Sequence, residues 1–335
     1  MSPTADPRLV VHPAPFLHPE VSTPRIMGDV LIALAPATAA GIWFFGLSAL
    51  LVVLAATAAC VATEWALAGR AQLRDLSAVV TGVLVGLILP PSLPLWMAAL
   101  GGFVAIALGK VAWGGLGNNL FNPALVGRAF LQAAFPIALT TWVPPQGPLA
   151  LYNGNLALPF LHGVPDAVTA ATPLGQMKFL AASTPFADLF WGNISGSIGE
   201  TSAAAILLGG LYLLFRRAFD WRLPAGMLGA AALLAEIIHQ MHPEKYPGAL
   251  FTLLSGGLLL GAVFMASDPV TSPISPRGAW IFAAGAGVLV VLIRFWGGLP
   301  EGVMYAILLM NSASPLIDRA LQPRRFGSRP VKETR

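Results

Sequence analysis

Charged residues are scarce in this sequence. Asp, Glu, Lys and Arg together make up 10% of its 335 residues, whereas about a quarter of a soluble domain is charged. So little charge cannot cover a surface that faces water, but it suits a chain that faces lipid. The net charge is +4, but the basic residues are not clustered with stacking aromatic residues. Nucleic acid is therefore not expected as a partner.

Cysteine is nearly absent as well. Cys60 is the only one, and it lies inside an apolar run. One thiol can form neither an intrachain disulfide, nor a cysteine-ligated iron–sulfur cluster, nor a Cys-rich zinc site. Any redox chemistry in this chain therefore needs an organic cofactor or a partner protein. The first 26 residues also lack the hydrophobic core of a signal peptide, so we expect the first transmembrane helix to drive insertion.

Long apolar stretches dominate what remains. A bilayer core of roughly 30 Å needs about 20 apolar residues, and about ten stretches approach that length. They are residues 27–47, 48–67, 76–89, 95–113, 123–139, 201–215, 224–239, 246–264, 279–294 and 302–316. The predicted organisation is a cytoplasmic segment 1–26, a first five-helix half 27–139, an outer loop 140–200, a second half 201–317 and a tail 318–335.

Basic residues predict the orientation. With the N-terminus inside, the outer segments contain only Lys178, Lys245 and Arg294, whereas nine basic residues fall in inner segments and six in the tail. The positive-inside rule then places both termini in the cytoplasm and the outer loop in the periplasm of a Gram-negative host. The basic tail is expected to contact anionic lipid head groups or a cytoplasmic partner.

Two acidic residues lie near predicted inner helix ends. Asp29 and Glu64 are expected to cap these ends or to pair with arginines close by in the sequence. The candidate partners are Arg25, Arg70 and Arg74.

Two of the apolar stretches are interrupted. Residues 76–89 form a short stretch that runs into a proline-rich break at 90–94, and the run 254–265 ends at a second break, 267–273. One such break is typical of an interfacial turn. Interrupted helices at matching places in two halves indicate instead a binding site near the membrane midplane. The pair therefore favours two structurally related halves, each with one half-helix.

The properties of the residues themselves do not decide the roles of two polar features. The Gly/Asn-rich segment 114–123 offers close backbone approach and amide groups for a planar ring or a cation, although its spacing alone favours a turn that caps the fifth helix. Asp268, in the second break, is either a functional acid near membrane depth or a cap for its neighbours. The sequence leaves these two roles of Asp268 equal.

The outer loop contains a segment of small residues, Pro165 to Leu174. Thr172 stands between Ala171 and Pro173, so little shields its hydroxyl. No histidine lies beside it, which argues against a Ser/His/Asp type of nucleophile. Asp166 and Thr169 also suit an ordinary turn, and local physics alone favours that turn.

Taken together, several segments resemble the RnfD family of the Rnf electron-transport complex, which is related to the NqrB family of the sodium-pumping NADH:quinone reductase. The segments are residues 25–27, 114–123, 166–172, 199–202 and 267–273. Their order and spacing agree with the family over nearly the whole chain. The resemblance implies an all-α polytopic membrane protein of about ten transmembrane helices in two related halves, similar in architecture to urea and ammonium channels.

The resemblance also implies a covalent flavin. In this family a flavin transferase recognises an Asp-x-x-Ser/Thr-small-Ala-Thr motif and attaches FMN through its phosphate to the last Thr. Here the implied acceptor is Thr172, and the implied recognition elements are Asp166, Thr169 and Ala171. Ala170 stands where Gly is common in the family.

Further implications concern a second flavin and an ion. Riboflavin, bound noncovalently among the helices, is expected near Asn119 and Asn122. The half-helices are expected to meet at a constriction that a sodium ion or a proton crosses, with Asp268 shaping the inner vestibule. The residues expected to line this constriction are Ile88, Leu89, Phe264 and Met265.

The implied function is redox-driven ion translocation across the bacterial inner membrane. Partner subunits with iron–sulfur clusters and flavins would carry electrons between ferredoxin and NAD, and alternating access in this chain would move the ion. The chain alone is expected to catalyse nothing. A channel or secondary transporter for a small solute fits the half-helices equally well, and a scaffold that has lost its flavins is a third hypothesis. Only the motif at 166–172 separates the channel or transporter from the redox function, and a colourless protein with a dispensable Thr172 would support the scaffold.

Overall fold

The chain folds into helices joined by turns and loops. A computed structural model describes residues 22–158, 170–180 and 182–321, and it contains no β-strand within these ranges. The α-helices are α1 Thr23–Ala68, α2 Ser77–Leu87, α3 Leu95–Ala107, α4 Pro123–Ala134, α5 Pro136–Thr140, α6 Pro173–Leu180, α7 Phe186–Trp191, α8 Ala203–Arg216, α9 Arg222–Met241, α10 Ala249–Leu254, α11 Leu258–Leu260, α12 Pro276–Trp296 and α13 Val303–Ala320. A π-helical turn, Gly261–Met265, continues α11. The predicted all-α class is confirmed for the described residues.

Several helices have the length and composition of membrane spans. Four stretches qualify, namely α1, Leu95–Trp113, α9 and α12, and the shorter helices α2 and α8 are also apolar. Large apolar side chains on these helices stay exposed, for example Trp43 at 65% and Leu233 at 65%. Such exposure suits contact with lipid. The chain is thus a multi-pass membrane protein, while the count of ten spans stays a prediction.

Helix α1 is a hairpin that reverses at Gly46. A straight helix of its 46 residues would be about 69 Å long, yet Ile26, near its start, lines the same cavity as Lys110, the partner of Glu64 near its end. The backbone at Gly46 adopts φ 67° and ψ −148°, outside the helical region. The predicted boundary between the first two spans, at residues 47 and 48, is therefore confirmed within two residues.

Two other predicted spans contain breaks that we did not expect. The stretch 123–139 divides into α4 and α5 at Phe135, because Pro136 lacks the N–H that would continue α4. The stretch 246–264 divides between α10 and α11, where Gly256 adopts φ +64°. This conformation is easy for glycine and costly for other residues.

The two predicted half-helices are short, buried and antiparallel. Helix α2 has 11 residues, or about 16 Å, too short to cross a core of roughly 30 Å. Its end lies beside α11, because the Gly199 N–H donates to Leu87 O at 2.7 Å and a Cβ at Gly199 would be 3.2 Å from Leu260. Its start lies beside the end of the π-helical turn, since Ser77 and Ser267 line one cavity. Both predicted breaks are confirmed as helix ends.

The predicted partners of two acidic residues were wrong. Glu64 forms its ion pair with Lys110, not with Arg70 or Arg74, and both members are at least 99% buried. Asp29 pairs with Arg216 at the end of α8, at 3.2 Å. Both pairs join segments that are far apart in sequence, so proximity along the chain could not reveal them.

Candidate functional site

Thr172 is the N-cap of α6. Its Oγ1 accepts a hydrogen bond from the Gly175 N–H at 3.1 Å, and its carbonyl accepts one from the Gln176 N–H at 2.8 Å. Pro173 follows at the first helical position, where its missing N–H costs nothing. The hydroxyl therefore stands at the partly positive end of a helix dipole. Asp166 and Thr169, the other predicted motif residues, lie outside the described residues, and Ala171 is exposed.

An open cavity of about 460 Å³ adjoins Thr172; we call it the Thr172 cavity. Its volume falls within the range of about 300–1,000 Å³ that is usual for small-molecule and cofactor sites. Aromatic and charged side chains lie in its wall, as a planar ring with polar edges would require. They are Arg128, Trp142, Phe179, Glu301 and Tyr305.

Lys178 fixes the segment that carries Thr172. Its ammonium group donates to the carbonyl oxygens of Arg294, Gly297 and Leu299 at 2.8, 2.6 and 3.2 Å. These carbonyls lie at and just beyond the C-terminal end of α12, where a cation is favoured by the helix dipole. Burial lowers the pKa of Lys178. The outer loop is thus anchored to the second half of the chain through one side chain.

We expect Lys178→Met to loosen α6. The change leaves three carbonyl groups without their charged donor, and a hydrogen bond to a charged group contributes about 1.5–3 kcal/mol. Hydrogen–deuterium exchange at residues 173–180 should rise at least about tenfold by the same estimate. Lys245→Met serves as a control, because Lys245 is exposed in another predicted outer segment. Unchanged exchange in Lys178→Met would contradict the anchoring role.

Four charged side chains that we did not predict as site residues meet beside the Thr172 cavity; we call them the charged cluster. They are Arg128 on α4, Glu200 before α8, Arg294 on α12 and Glu301 before α13. Arg128, Glu200 and Arg294 are 7%, 7% and 3% exposed. The sequence carried one signal, because Arg128 interrupts an apolar stretch and a charge inside such a stretch indicates function by default.

The charged cluster connects the two short helices. Arg128 Nη1 donates to the Ile88 carbonyl, just after α2, at 2.6 Å and lies 3.6 Å from Glu200 Oε1. Glu301 Oε2 accepts from the Gly257 N–H, just before α11, at 3.0 Å. Each short helix is therefore held at this end by one charged side chain.

Arg294 completes the charged cluster through its guanidinium group. It lies 3.3 Å from Glu301 Oε1. It also donates to the carbonyls of Thr252 and Ser255 at 2.7 and 3.1 Å. The break between α10 and α11 is thereby stabilised by the same arginine that pairs with Glu301.

The two carboxyl groups have opposite pKa shifts. Burial raises the pKa of Glu200, and the negative charge of Glu301 raises it further, against the attraction of Arg128. Burial also acts to raise the pKa of Glu301, but Arg294 and the Gly257 N–H outweigh it, so the pKa of Glu301 is lowered. Glu301 is therefore the better compensated of the two carboxyl groups.

A second, smaller cavity lies at the other end of the short helices; we call it the Asp268 cavity. Its volume is about 80 Å³. Its polar lining residues are Ser77, Thr81, Lys110, Asn119, Asn122, Ser267 and Asp268. The structure therefore brings both predicted Asn residues close to Asp268, and the buried side-chain oxygen of Asn119 has no hydrogen-bond partner in the part of the chain that the structure describes.

Asn122 is the N-cap of α4, and Asp268 forms hydrogen bonds with residues that follow it in the chain. Asn122 Oδ1 accepts from the N–H groups at the start of α4, and its Nδ2 donates to Met265 O at 3.3 Å. Asp268 accepts from the Val270 N–H and the Thr271 hydroxyl at 3.2 and 3.3 Å. A flavin ring does not fit a cavity of about 80 Å³, since cofactor pockets usually exceed about 300 Å³. Riboflavin at this place stays a prediction.

The predicted constriction residues are all buried in the main apolar core. Ile88, Leu89, Phe264 and Met265 are between 0% and 5% exposed. The backbone carbonyls of Ile88 and Met265 are held by Arg128 and Asn122, respectively. The ends of the two short helices are therefore fixed by polar side chains of α4 and its N-cap.

Comparisons with known proteins place this chain in a family. The family model described as NQR2, RnfD, RnfE matches residues 10–327. The D subunit of the ion-translocating oxidoreductase complex of Stutzerimonas stutzeri is 44% identical over 328 residues, which cover 91% of this chain and 92% of the relative. The D subunit of the proton-translocating ferredoxin:NAD(+) oxidoreductase complex of Clostridium ljungdahlii is 41% identical, with 94% and 95% covered.

A third relative is named for a different ion. The D subunit of the Na(+)-translocating ferredoxin:NAD(+) oxidoreductase complex of Acetobacterium woodii is 39% identical, and 97% of each chain is covered. The resemblance drawn from the sequence segments is confirmed by these matches. The chain belongs to the NQR2, RnfD, RnfE family.

Proposed function

We propose that this chain is the membrane subunit of a redox-driven ion translocase and that it carries FMN esterified to Thr172. The observation that carries this proposal is the position of the Thr172 hydroxyl. It lies at the N-terminus of an eight-residue helix and opens on a cavity of about 460 Å³. A flavin transferase would reach it from the exposed side of Ala171, with Asp166 and Thr169 as further recognition elements.

The local geometry suits a phosphoester at Thr172. The N-terminus of a helix is a favourable place for a phosphate group, because its N–H groups and its dipole both attract negative charge. Gly175 leaves the hydroxyl accessible, since a Cβ there would lie 3.2 Å from Thr172 Oγ1. Trp142, Phe179 and Tyr305 would bind the flavin ring, and Lys178 would hold its helix in place. Bound FMN supplies electron transfer, which no side chain here provides.

The partners follow from the family. Other subunits of the complex would bring iron–sulfur clusters and flavins and exchange electrons with ferredoxin and NAD. The transported ion is Na+ or H+, because relatives of similar identity are named for each of them. The complex would lie in the bacterial inner membrane, with both termini of this chain in the cytoplasm, the Thr172 loop in the periplasm and lipid around the helices.

The transport path we propose runs between the two short helices. Their antiparallel arrangement supports a fold of about ten spans in two inverted halves, as in channel-like transporters. The ion would pass Ile88, Leu89, Phe264 and Met265 between the Thr172 cavity and the Asp268 cavity. The same arrangement also favours the second candidate function, a channel or secondary transporter without redox activity. Only the chemistry of Thr172 separates the two.

Flavin fluorescence after denaturation tests the proposal. The chain is expressed with its flavin transferase, denatured in SDS and separated on a gel. We expect a fluorescent band for the wild type and none for Thr172→Val, which keeps the side-chain shape and removes the hydroxyl. Thr140→Val is the matched control, because Thr140 lines the same cavity, and its band should stay fluorescent.

A dark wild-type band, with the transferase active on another substrate, would refute the covalent flavin. Solute-flux measurements on the purified chain would then test the channel function.

A further inference from the structure

Glu200 is the one carboxylate of the charged cluster whose charge is poorly compensated. Its side chain is 7% exposed, and its Oε1 has no hydrogen-bond partner among the described residues. The nearest cationic atom is Arg128 Nη1 at 3.6 Å. Arg128 Nη1 donates its hydrogen bond not to Glu200 but to the Ile88 carbonyl, at 2.6 Å. An ionised Glu200 would therefore keep one buried oxygen without a hydrogen bond among the described residues, which is costly.

Glu301, in contrast, is well compensated. Its two oxygens accept from the Gly257 N–H and from Arg294 at 3.0 and 3.3 Å. Arg294 itself donates hydrogen bonds to Glu301 and to the carbonyls of Thr252 and Ser255. The two carboxyl groups thus differ in role: Glu301 is held as an anion, and Glu200 is the group that gains most from a proton.

A water-sized space lies between Glu200 and the Thr172 cavity. A small cavity of about 20 Å³ is lined by Glu200, Glu301, Gly196 and Thr172. Such a volume holds about one water molecule, for which about 10–15 Å³ suffices. Thr172 and Glu301 also line the larger Thr172 cavity. A proton therefore has a short route between the open cavity and the Glu200 carboxyl group.

The composition of the charged cluster argues against a metal cation at this place. Arg128 and Arg294 balance the two carboxylates, so the site has no net negative charge. Among the described residues, the buried polar atoms without partners include the Arg294 Nε–H, which can only donate, and the Ser255 hydroxyl, which can donate or accept. No group of three or more His, Cys, Asp or Glu side chains suited to a metal occurs within the described ranges.

We propose that Glu200 is a proton-binding site of the ion-translocating machinery, loaded and unloaded through the water-sized space beside Thr172. Protonation neutralises Glu200 and gives the charged cluster a net charge of +1, which weakens the attraction between Glu200 and Arg128. Because Arg128 also holds the end of α2, the proton on Glu200 is coupled to the contact between the two short helices. This proposal concerns the ion path and does not require a flavin on Thr172.

Infrared spectroscopy of the purified full-length chain tests the proposal. A protonated carboxyl group has a C=O band that shifts in D2O and disappears on ionisation. We expect one such band to persist above the pH at which exposed Glu side chains ionise, and this band to be missing from the spectrum of Glu200→Gln. Glu236→Gln, a change at a residue outside the charged cluster, should leave the band intact. The band should also be the same in wild type and Thr172→Val, so a failure of the flavin proposal leaves this test unaffected.

A second variant keeps the test decisive if Glu200→Gln does not fold. Glu301→Gln removes the negative charge that faces Glu200, so the band should titrate at a lower pH than in wild type. Arg128 and Arg294 are the other charged groups that face Glu200, and both stay in place in this variant. A band unchanged in Glu200→Gln, or one that Na+ but not K+ removes at constant pH, would overturn the proposal.

Discussion

Replacing Gly46 with alanine is expected to destabilise the protein by about 3 kcal/mol or more. The backbone at Gly46 has φ +67°, where a side chain is strained. An alanine Cβ would also lie 2.3 Å from Ala150 N and 2.7 Å from the carbonyl oxygens of Ala150 and Gly147. Those backbone atoms cannot give way easily, because the Gly147 N–H is bonded to Phe44 O at 3.0 Å.

Thermal unfolding of the detergent-solubilised chain measures this effect. Gly28→Ala is the matched control, since Gly28 lies inside the same helix with nothing within 4 Å of the position that a methyl group would take. That change should stabilise the helix by up to about 1 kcal/mol. If Gly46→Ala unfolds at the wild-type temperature, the reversal of α1 at Gly46 is refuted.

Long apolar stretches made the helices predictable. Helices α9 and α12 begin and end within a few residues of the predicted stretches 224–239 and 279–294, because hydropathy over about 20 residues is a strong signal. The division of α1 was also predicted, but its hairpin without a loop was not. That hairpin depends on the packing of Gly46 against residues 147–150. A contact between residues so far apart in the sequence cannot be predicted from local composition.

Average hydropathy concealed the breaks inside apolar stretches. Pro136 was visible in the sequence, yet the stretch around it stayed apolar enough to be taken as one span. Gly256 and the π-helical turn at Gly261–Met265 were hidden for the same reason. Such interruptions are stabilised by tertiary contacts, here by Arg294 with the Thr252 and Ser255 carbonyls, and hydropathy does not report those contacts.

The candidate site was predictable only in part. The family resemblance pointed to Thr172, and the structure adds that its hydroxyl caps α6. The charged cluster escaped prediction because its four members come from distant parts of the chain. Glu200 and Glu301 lie in connections, where a carboxylate is expected to be solvated, and Arg294 was counted as an outer basic residue. Only the fold shows that all of them face one another.

Lys110→Met is expected to be the most damaging change at a charged side chain. Lys110 is 1% exposed and forms an ion pair with Glu64, which is 0% exposed. The Lys110 ammonium also donates to the Ser77 hydroxyl at the start of α2. Removing the lysine leaves Glu64 buried and uncompensated, which costs about 3–5 kcal/mol. The melting temperature of the solubilised chain should fall accordingly, and α2 should lose protection from hydrogen exchange at its first turn.

A double variant tests whether the cost arises from the uncompensated charge. Glu64→Met combined with Lys110→Met removes both charges, and well-packed apolar replacements of buried ion pairs are often close to neutral. We therefore expect the double variant to recover most of the stability that Lys110→Met loses. Arg216→Met is the control, because Arg216 is 40% exposed in its pair with Asp29, and exposed pairs contribute only about 0–1 kcal/mol. A double variant no more stable than Lys110→Met would mean that the lysine acts through Ser77 and the start of α2, not through Glu64.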